Sequence, residues 1–369
     1  MEQFYQILLI LFFFGLVIQL FFVFFFFLRL IKHKTLNREF HEAVSIIICA
    51  RNEAENLKEF LPLVLQQSYF NYEVVVVNDQ SKDNTEYVLK SLEKEYSHLN
   101  IVKIEKHVKH GTGKKFALTL GIKAAKNEYL LLTDADCVPS SEKWLKKMVH
   151  SFDDKKKIIL GYGAYKKGKG LLNLMIRFDA FNISLQYFSY ALAGMPYMGV
   201  GRNLAYKKSI FFSNKGFASH IHLASGDDDL FVQEVATKEN IAIEFDADSH
   251  TISNTKESWK EWIFQKRRHS TTSKHYMFRF KFFILLWPFS LFLFWISFFF
   301  LLFIKENVFI LLLLFAFRFI LFFIVYFLIM KKLKLLDLLM WFPVLEIIHI
   351  FIQGFFVLLN IFNKPTTWR

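Results

Sequence analysis

The residues best suited to chemistry are acidic and fall in two groups. Asp134 and Asp136 stand one residue apart in LLLTDADCVPS, directly after an apolar, strand-like run. Two carboxylates this close repel, so either a positive group sits between them or the pair is a solvated turn. Asp227, Asp228 and Asp229 follow Gly226 in SGDDDLFVQEVA, where acids also favour the start of a helix electrostatically. Basic residues are grouped as well. Lys114 and Lys115 follow His110-Gly111-Thr112-Gly113, and Gln265-Lys266-Arg267-Arg268-His269 forms a cationic run.

The elements that must position these groups alternate. Strand-like runs at 44–50, 72–78, 100–106, 128–133 and 156–163 are separated by helical stretches such as EAENLKEFLPLVLQQ and KKFALTLGIKAAK. That alternation predicts an α/β domain with a parallel sheet covered on both faces. In such sheets ligands bind beyond the carboxyl ends of the strands, where the strand order reverses. These ends are polar: Ala50-Arg51-Asn52-Glu53 after the first run, Asn78-Asp79-Gln80-Ser81 after the second and Thr133-Asp134-Ala135-Asp136 after the fourth. No G-x-G-x-x-G follows the first run, which disfavours a dinucleotide fold. The loop at Gly111 lacks P-loop spacing, which disfavours an ordinary ATPase.

Composition sets these motifs in a membrane. The chain of 369 residues carries 47 Phe, a net formal charge of +13 and two cysteines. Residues 5–28 form an unbroken apolar run, close to the ~20 residues that cross a bilayer core, with basic residues after it rather than before. An uncleaved anchor is expected over 1–31, and three further spans within 282–362, at 282–304, 308–330 and about 338–362. Basic clusters follow the first span, precede the second and lie between the third and fourth. Only an outside N-terminus puts all three on the cytosolic side of a cell (inner or plasma) membrane, which leaves the C-terminus outside too. The domain over 42–256 is then cytosolic, with Cys49 and Cys137 as free thiols and small buried hydrophobes. Attraction to anionic headgroups explains part of the positive charge, and no nucleic-acid partner is called for. The segment 257–281, rich in aromatic and basic residues, reads as an amphipathic helix in the membrane interface. Within the spans, Arg318 lies mid-helix and Glu346, His349 and Gln353 share a helix face; charge at this depth would line a glycan path, grip a phosphate-bearing lipid acceptor or form a structural Arg318–Glu346 pair, and the reading favours the pair. Four spans make a narrow conduit for a glycan unless the protein forms an oligomer.

The ordered series ICARNEAENL, VVVNDQSKDNT, HGTGKKFAL, LLLTDADC, GVGRNLAY, SGDDDLF and QKRRH resembles the membrane-bound family 2 glycosyltransferases, the group of cellulose, chitin and hyaluronan synthases, over about residues 42–270. The resemblance implies a GT-A-type, Rossmann-like, mostly parallel sheet and an inverting transfer from a nucleotide sugar, a UDP-sugar by preference, to a lipid or glycan acceptor. It implies Mg²⁺ or Mn²⁺ as cofactor, with Asp136 the more direct metal ligand and Asp134 shared between the metal site and the donor. Asp79 would contact the base or ribose, Ala50, Arg51, Asn52 and Glu53 would line the base pocket, and Lys114 would stand near the diphosphate or be an exposed first-turn lysine. The catalytic base would come from the acidic triplet. Matching Gly226-Asp227-Asp228 to Gly-Asp-Asp selects Asp228, whereas matching Asp229-Leu230 to Glu-Asp-x-Asp-Leu selects Asp227; the reading favours Asp228.

The loop Met198-Gly199-Val200-Gly201-Arg202-Asn203, after a long amphipathic stretch at 171–193, resembles the one that shapes the acceptor pocket. Its glycines would let backbone approach a sugar, although a turn would need them equally. Gln265 and Arg268 stand where synthases carry Gln-x-x-Arg-Trp, and Arg268 would grip the departing diphosphate through paired hydrogen bonds. His269 replaces the tryptophan, a smaller and chargeable face toward the acceptor, which counts against long-chain synthesis. Two other readings remain open: a nucleotidyltransferase of similar sheet fold, and a catalytically silent membrane scaffold.

Overall fold

A computed structural model describes residues 2–35, 38–105, 113–223 and 225–362. The sheet that carries the polar strand ends has seven strands, β1 (Val44–Ala50), β2 (Tyr72–Asp79), β3 (Leu99–Ile104), β4 (Tyr129–Asp134), β6 (Ile158–Leu160), β8 (Leu204–Lys207) and β9 (Ile241–Ile243), in the order β3-β2-β1-β4-β8-β6-β9. A second sheet orders β5 (Cys137–Pro139), β10 (Thr251–Ser253) and β7 (Gly163–Tyr165) as β5-β10-β7. β1 to β4 are mutually parallel, and β1, β2 and β4 are almost wholly buried, which is why those three read as continuous apolar runs rather than alternating ones; β3, at the edge of the sheet, is only half-buried. The chain steps from β1 to β2 to β3 on one side and returns to β4 on the other. The order therefore reverses between β1 and β4, with Asp134 registered against Cys49 and Asn78 against Ala50.

The sheet is mostly parallel, as the resemblance implies, but not wholly so, as the strand–helix alternation alone predicts. β8 lies antiparallel between β4 and β6, and the single run expected at 156–163 divides between the two sheets. The helices of the domain are α1 (Ala54–Leu65), α2 (Thr85–Glu95), α3 (Lys114–Ala124), α4 (Trp144–Val149), α5 (Leu171–Leu192), α6 (Lys208–Ser213), α7 (Asp229–Val235) and α8 (Trp259–Ser273). α5 corrects the amphipathic reading of 171–193. It is buried on nearly all sides because it is wedged between the sheet domain and the membrane helices, so no face of it needs to be polar for water.

Among the described residues, four helices are long and apolar enough to span a bilayer: Glu2–Lys32, Phe278–Ile304, Val308–Lys332 and Leu336–Phe356. The second begins a few residues earlier than the sequence suggests, so the segment expected at 257–281 is divided between α8 and this span. The first and second pack closely at Gly15, where a Cβ would meet Phe294 N and Ser290 O at 3.0 Å. The expected Arg318–Glu346 pair forms. Arg318, 1% exposed, donates to Glu346 Oε1 at 2.6 Å and to Gln19 Oε1 at 2.9 Å, and Trp295 donates to the same Glu346 oxygen at 2.7 Å. His349 and Gln353 turn away from this pair and meet Asp179 of α5, at 3.0 and 3.3 Å from its Oδ1, while Lys266 donates to its Oδ2 at 2.7 Å.

Candidate active site

The end of β1 is locked to the end of β2. Asn52 N–H donates to Ser81 Oγ at 3.0 Å, Glu53 N–H to Thr85 Oγ1 at 3.0 Å and Ala54 N–H to Asp83 Oδ2 at 3.1 Å, which together cap the start of α1. Asp79 closes β2 inside this frame. It is 2% exposed, neither of its oxygens is hydrogen-bonded among the described residues, and Arg51 Nη1 stands 3.8 Å from Oδ2. Burial raises the Asp79 carboxyl pKa and Arg51 opposes the rise. A buried acid with both oxygens free is costly unless something else satisfies it, which marks a ligand position.

Gly113, at a φ of +109°, turns the chain into α3 and sets Lys114 in its first turn. His110, Gly111 and Thr112 of the same motif lie outside the described residues. Lys114 is not an exposed helix lysine. Its ammonium lies 2.8 Å from Asp134 Oδ1 and 3.1 Å from Asp227 Oδ2, joining the two acidic groups of the sequence. Burial disfavours its charge, but Asp134, Asp227 and Asp228 outweigh that and hold its pKa well above the ordinary lysine range. Asp227 is correspondingly held low: Lys114 overcomes the effect of burial.

Asp228 has a different environment. Its Oδ2 accepts from Gly201 N–H at 2.7 Å and its Oδ1 from Asp229 N–H at 2.8 Å. Burial, then the charges of Asp227 and Asp229, push its pKa up to about 7. Asp136 is raised too, by burial and by Asp134, with Arg202 and Lys256 opposing.

Asp134, Asp136 and Cys137 present ligand atoms within 4.8 Å of one another. Two carboxylates beside a cavity suit a hard divalent ion. The Cys137 thiol, soft, buried and with its pKa driven well upward by burial and by Asp136, is a poor ligand for such an ion and lies 3.0 Å from Ser253 Oγ.

One cavity of about 1940 Å³ gathers these residues. Ala50, Arg51, Asn52, Glu53, Asp79, Lys114, Asp134, Asp136, Gly201, Arg202, Asp227, Asp228, Gln265, Arg268 and His269 all line it. Gly199 is the exception among the site residues expected from sequence: it is buried, and a Cβ there would meet Leu204 at 3.0 Å and Leu160 at 3.1 Å. Its missing side chain lets the loop pack onto the sheet. Arg202 is partly committed elsewhere, donating to Gly163 O at 2.6 Å with its guanidinium 4.2 Å from the Tyr165 ring. His269 is exposed toward the cavity, where its surroundings and then Arg268, Lys266 and Lys114 hold its imidazole pKa below the ordinary histidine range.

Sequence reasoning missed two residues near this site. Asp179 lines the cavity at the end toward the second and fourth spans, and a charge inside the apolar stretch LLNLMIRFDAFNISL was the available signal. Lys115, 4% exposed, donates to the carbonyls of His220 at 2.6 Å and Leu223 at 3.2 Å and so holds the loop that precedes the acidic triplet. Nothing local distinguishes it from Lys114.

A seven-stranded, mostly parallel sheet with acidic groups at its switch point, joined to a bundle of apolar helices, has a GT-A-type fold. A solved mannosyltransferase from Pyrobaculum calidifontis, in complex with GDP-Man and Mn²⁺, shares this fold over 98% of this chain and 99% of its own at a TM-score of 0.60 and 17% identity. Residues 45–212 match the model of glycosyl transferase family 2. A poly-beta-1,6-N-acetyl-D-glucosamine synthase of Staphylococcus epidermidis is 34% identical over 116 residues, 29% of this chain and 27% of the relative. An uncharacterized glycosyltransferase of Rickettsia conorii is 35% identical over 164 residues, 42% of this chain and 26% of the relative. The matches thus span about a quarter of these relatives' lengths.

Proposed function

We propose that the protein is a membrane-embedded, metal-dependent, inverting glycosyltransferase that moves a sugar from a nucleotide sugar, a UDP-sugar in this reading, to a lipid or glycan acceptor. The observation that carries the proposal is the single cavity in which the orphaned Asp79, the Asp134–Asp136 pair, Asp228 and Arg268 face one another. Asp79 takes the nucleoside, with Arg51, Asn52 and Glu53 beside it. Asp134 and Asp136 hold Mg²⁺ or Mn²⁺, which when bound supplies positive charge to the departing diphosphate. Lys114 and Arg268 add fixed cations to the same leaving group, and the ammonium of Lys114 exchanges a carboxylate partner for a phosphate oxygen.

Asp228 is the base. The acceptor hydroxyl oxygen bonds to the anomeric carbon as the bond from that carbon to the diphosphate oxygen breaks, and the hydroxyl proton passes to the Asp228 carboxylate. Gly201 N–H and Asp229 N–H fix the orientation of that carboxylate. Asp227, tied to Lys114, is less available for the proton. The domain spanning 42–256 faces the cytosol with both termini outside, as the basic clusters beside the spans favour.

The test is purified protein in lipid, incubated with a panel of nucleotide sugars and Mg²⁺ or Mn²⁺. Metal-dependent release of nucleoside diphosphate, abolished by chelation, is expected. Release of inorganic pyrophosphate would instead establish nucleotidyl transfer, and no release from any donor would refute turnover.

A further inference from the structure

The third aspartate of the triplet has no place in the chemistry above, yet it is more firmly held than either of its neighbours. Asp229 is 6% exposed, and its Oδ2 accepts from Tyr276 Oη at 2.6 Å and from Thr272 Oγ1. Its Oδ1 accepts from Leu230 N–H at 2.8 Å. Thr272 belongs to the last turn of α8, the helix that carries Gln265, Arg268 and His269, and Tyr276 lies in the short link from α8 to the second span. One helical turn beyond Asp229, Gln233 Oε1 accepts from Met277 N–H at 3.1 Å, a second tie to the same link. The Tyr276 ring also packs edge-on against Tyr197, at 5.9 Å between centroids. Tyr197 leads into the loop whose Gly201 N–H holds Asp228.

These contacts close a ring: Asp228 to Gly201, the Gly201 loop through Tyr197 to Tyr276, and Tyr276 through Asp229 back to Asp228. We propose that Asp229 is a positioning residue that locks the base-bearing start of α7 to the membrane-seated end of α8. The lock sets the height of the Asp228 carboxylate relative to the bilayer and to Arg268. A surface helix cap would not need a buried carboxylate bonded to two hydroxyls from a segment 43 and 47 residues away. The physical stake is orientation, because a base displaced by about 1 Å costs up to ~100-fold in rate without weakening donor binding. The donor's nucleoside pocket is built on the ends of β1 and β2, which are tied to each other by Asn52–Ser81, Glu53–Thr85 and Ala54–Asp83.

The inference rests on the proposed transferase reading, and its test separates the two. Full-length D229N, T272V and Y276F are purified in lipid, with D136N alongside. Turnover is measured with the nucleotide sugar found active in the donor panel, binding with UDP and GDP plus Mn²⁺, and backbone hydrogen exchange by mass spectrometry. D229N is expected to lower kcat about 10- to 100-fold, and Y276F and T272V several-fold each, with donor KM and nucleotide binding within about twofold of wild type. Exchange should rise over residues 226–235 in D229N and Y276F while β1 to β4 stay protected. Unchanged kcat in both D229N and Y276F overturns the lock, as does loss of nucleotide binding in step with kcat. Should D229N fail to fold, Y276F decides alone. A wild type inert on every donor sinks the transferase reading, and the exchange measurement then still decides whether the lock exists.

Discussion

Two regions of this protein bury acidic side chains beside cations, and they differ in what surrounds them. At the rim of the sheet, Asp134 and Asp227 share one ammonium, that of Lys114, while Asp136 and Asp228 are raised in pKa by burial and then by their acidic neighbours, and Asp79 has two oxygens without a hydrogen bond among the described residues. All of them open into a cavity. In the membrane bundle, Arg318 and Glu346 form a one-to-one pair closed off by Gln19, Trp295 and the rings of Phe294 and Phe322, 4.9 and 4.3 Å from the guanidinium. The bundle pair is balanced in charge, although Glu346 Oε2 has no hydrogen bond among the described residues. The rim is not, and its surplus of carboxylate is what a divalent ion and its ligand would relieve. Burial alone therefore does not mark function; burial with uncompensated charge facing open volume does.

The contrast can be broken most decisively at the rim. Asp136→Asn and Asp228→Asn are each expected to cut transfer by about 10³-fold or more while leaving detergent-solubilised protein monodisperse on size exclusion. Full turnover in either variant would refute the site. In the bundle the effect should fall on stability instead. Arg318→Met leaves Glu346 buried without its cation and is expected to cost about 3–5 kcal/mol, read as a lowered thermal midpoint in detergent. The double change Arg318→Met with Glu346→Leu should recover much of that loss, and nucleotide binding by the folded fraction should not change. The smallest expected effect concerns protons. Asp228 acts as a base only when ionised, and its carboxyl is raised to about 7. The kcat/KM profile should therefore fall about tenfold per pH unit below 7 and level off above it. A profile flat from pH 5.5 to 8 would separate Asp228 from the proton transfer.

Much of the rim is legible in the order of the residues. The Val44–Ala50 and Tyr72–Asp79 strands announce themselves as apolar runs ended by polar residues, and strand ends are where an α/β sheet binds ligands. The Arg318–Glu346 pair follows from the expense of charge in a membrane. Other features are hidden because they depend on neighbours distant in the chain. His349 and Gln353 share a helix face with Glu346 in sequence, but in the fold they meet Asp179 of α5 instead of Arg318. Gly199 and Gly201 are two residues apart in the same loop, yet one packs on Leu204 and the other holds Asp228. Asp229 looks like a helix-start acid until Thr272 and Tyr276 are seen to reach it.

What the sequence determined by itself is whatever periodicity and covalent order impose locally: four apolar spans, the parallel strands β1 to β4 and the polar residues that end β1, β2 and β4. The tertiary structure alone decided which carboxylates share Lys114, which one is left to rise in pKa, and which is tied to the membrane-side helix. The reason is physical. Apolar patterning is a property of a few adjacent residues, whereas the field at a carboxylate is set by every charge and dipole within several ångströms, and the crossovers of the sheet bring those together from positions 51 to 276.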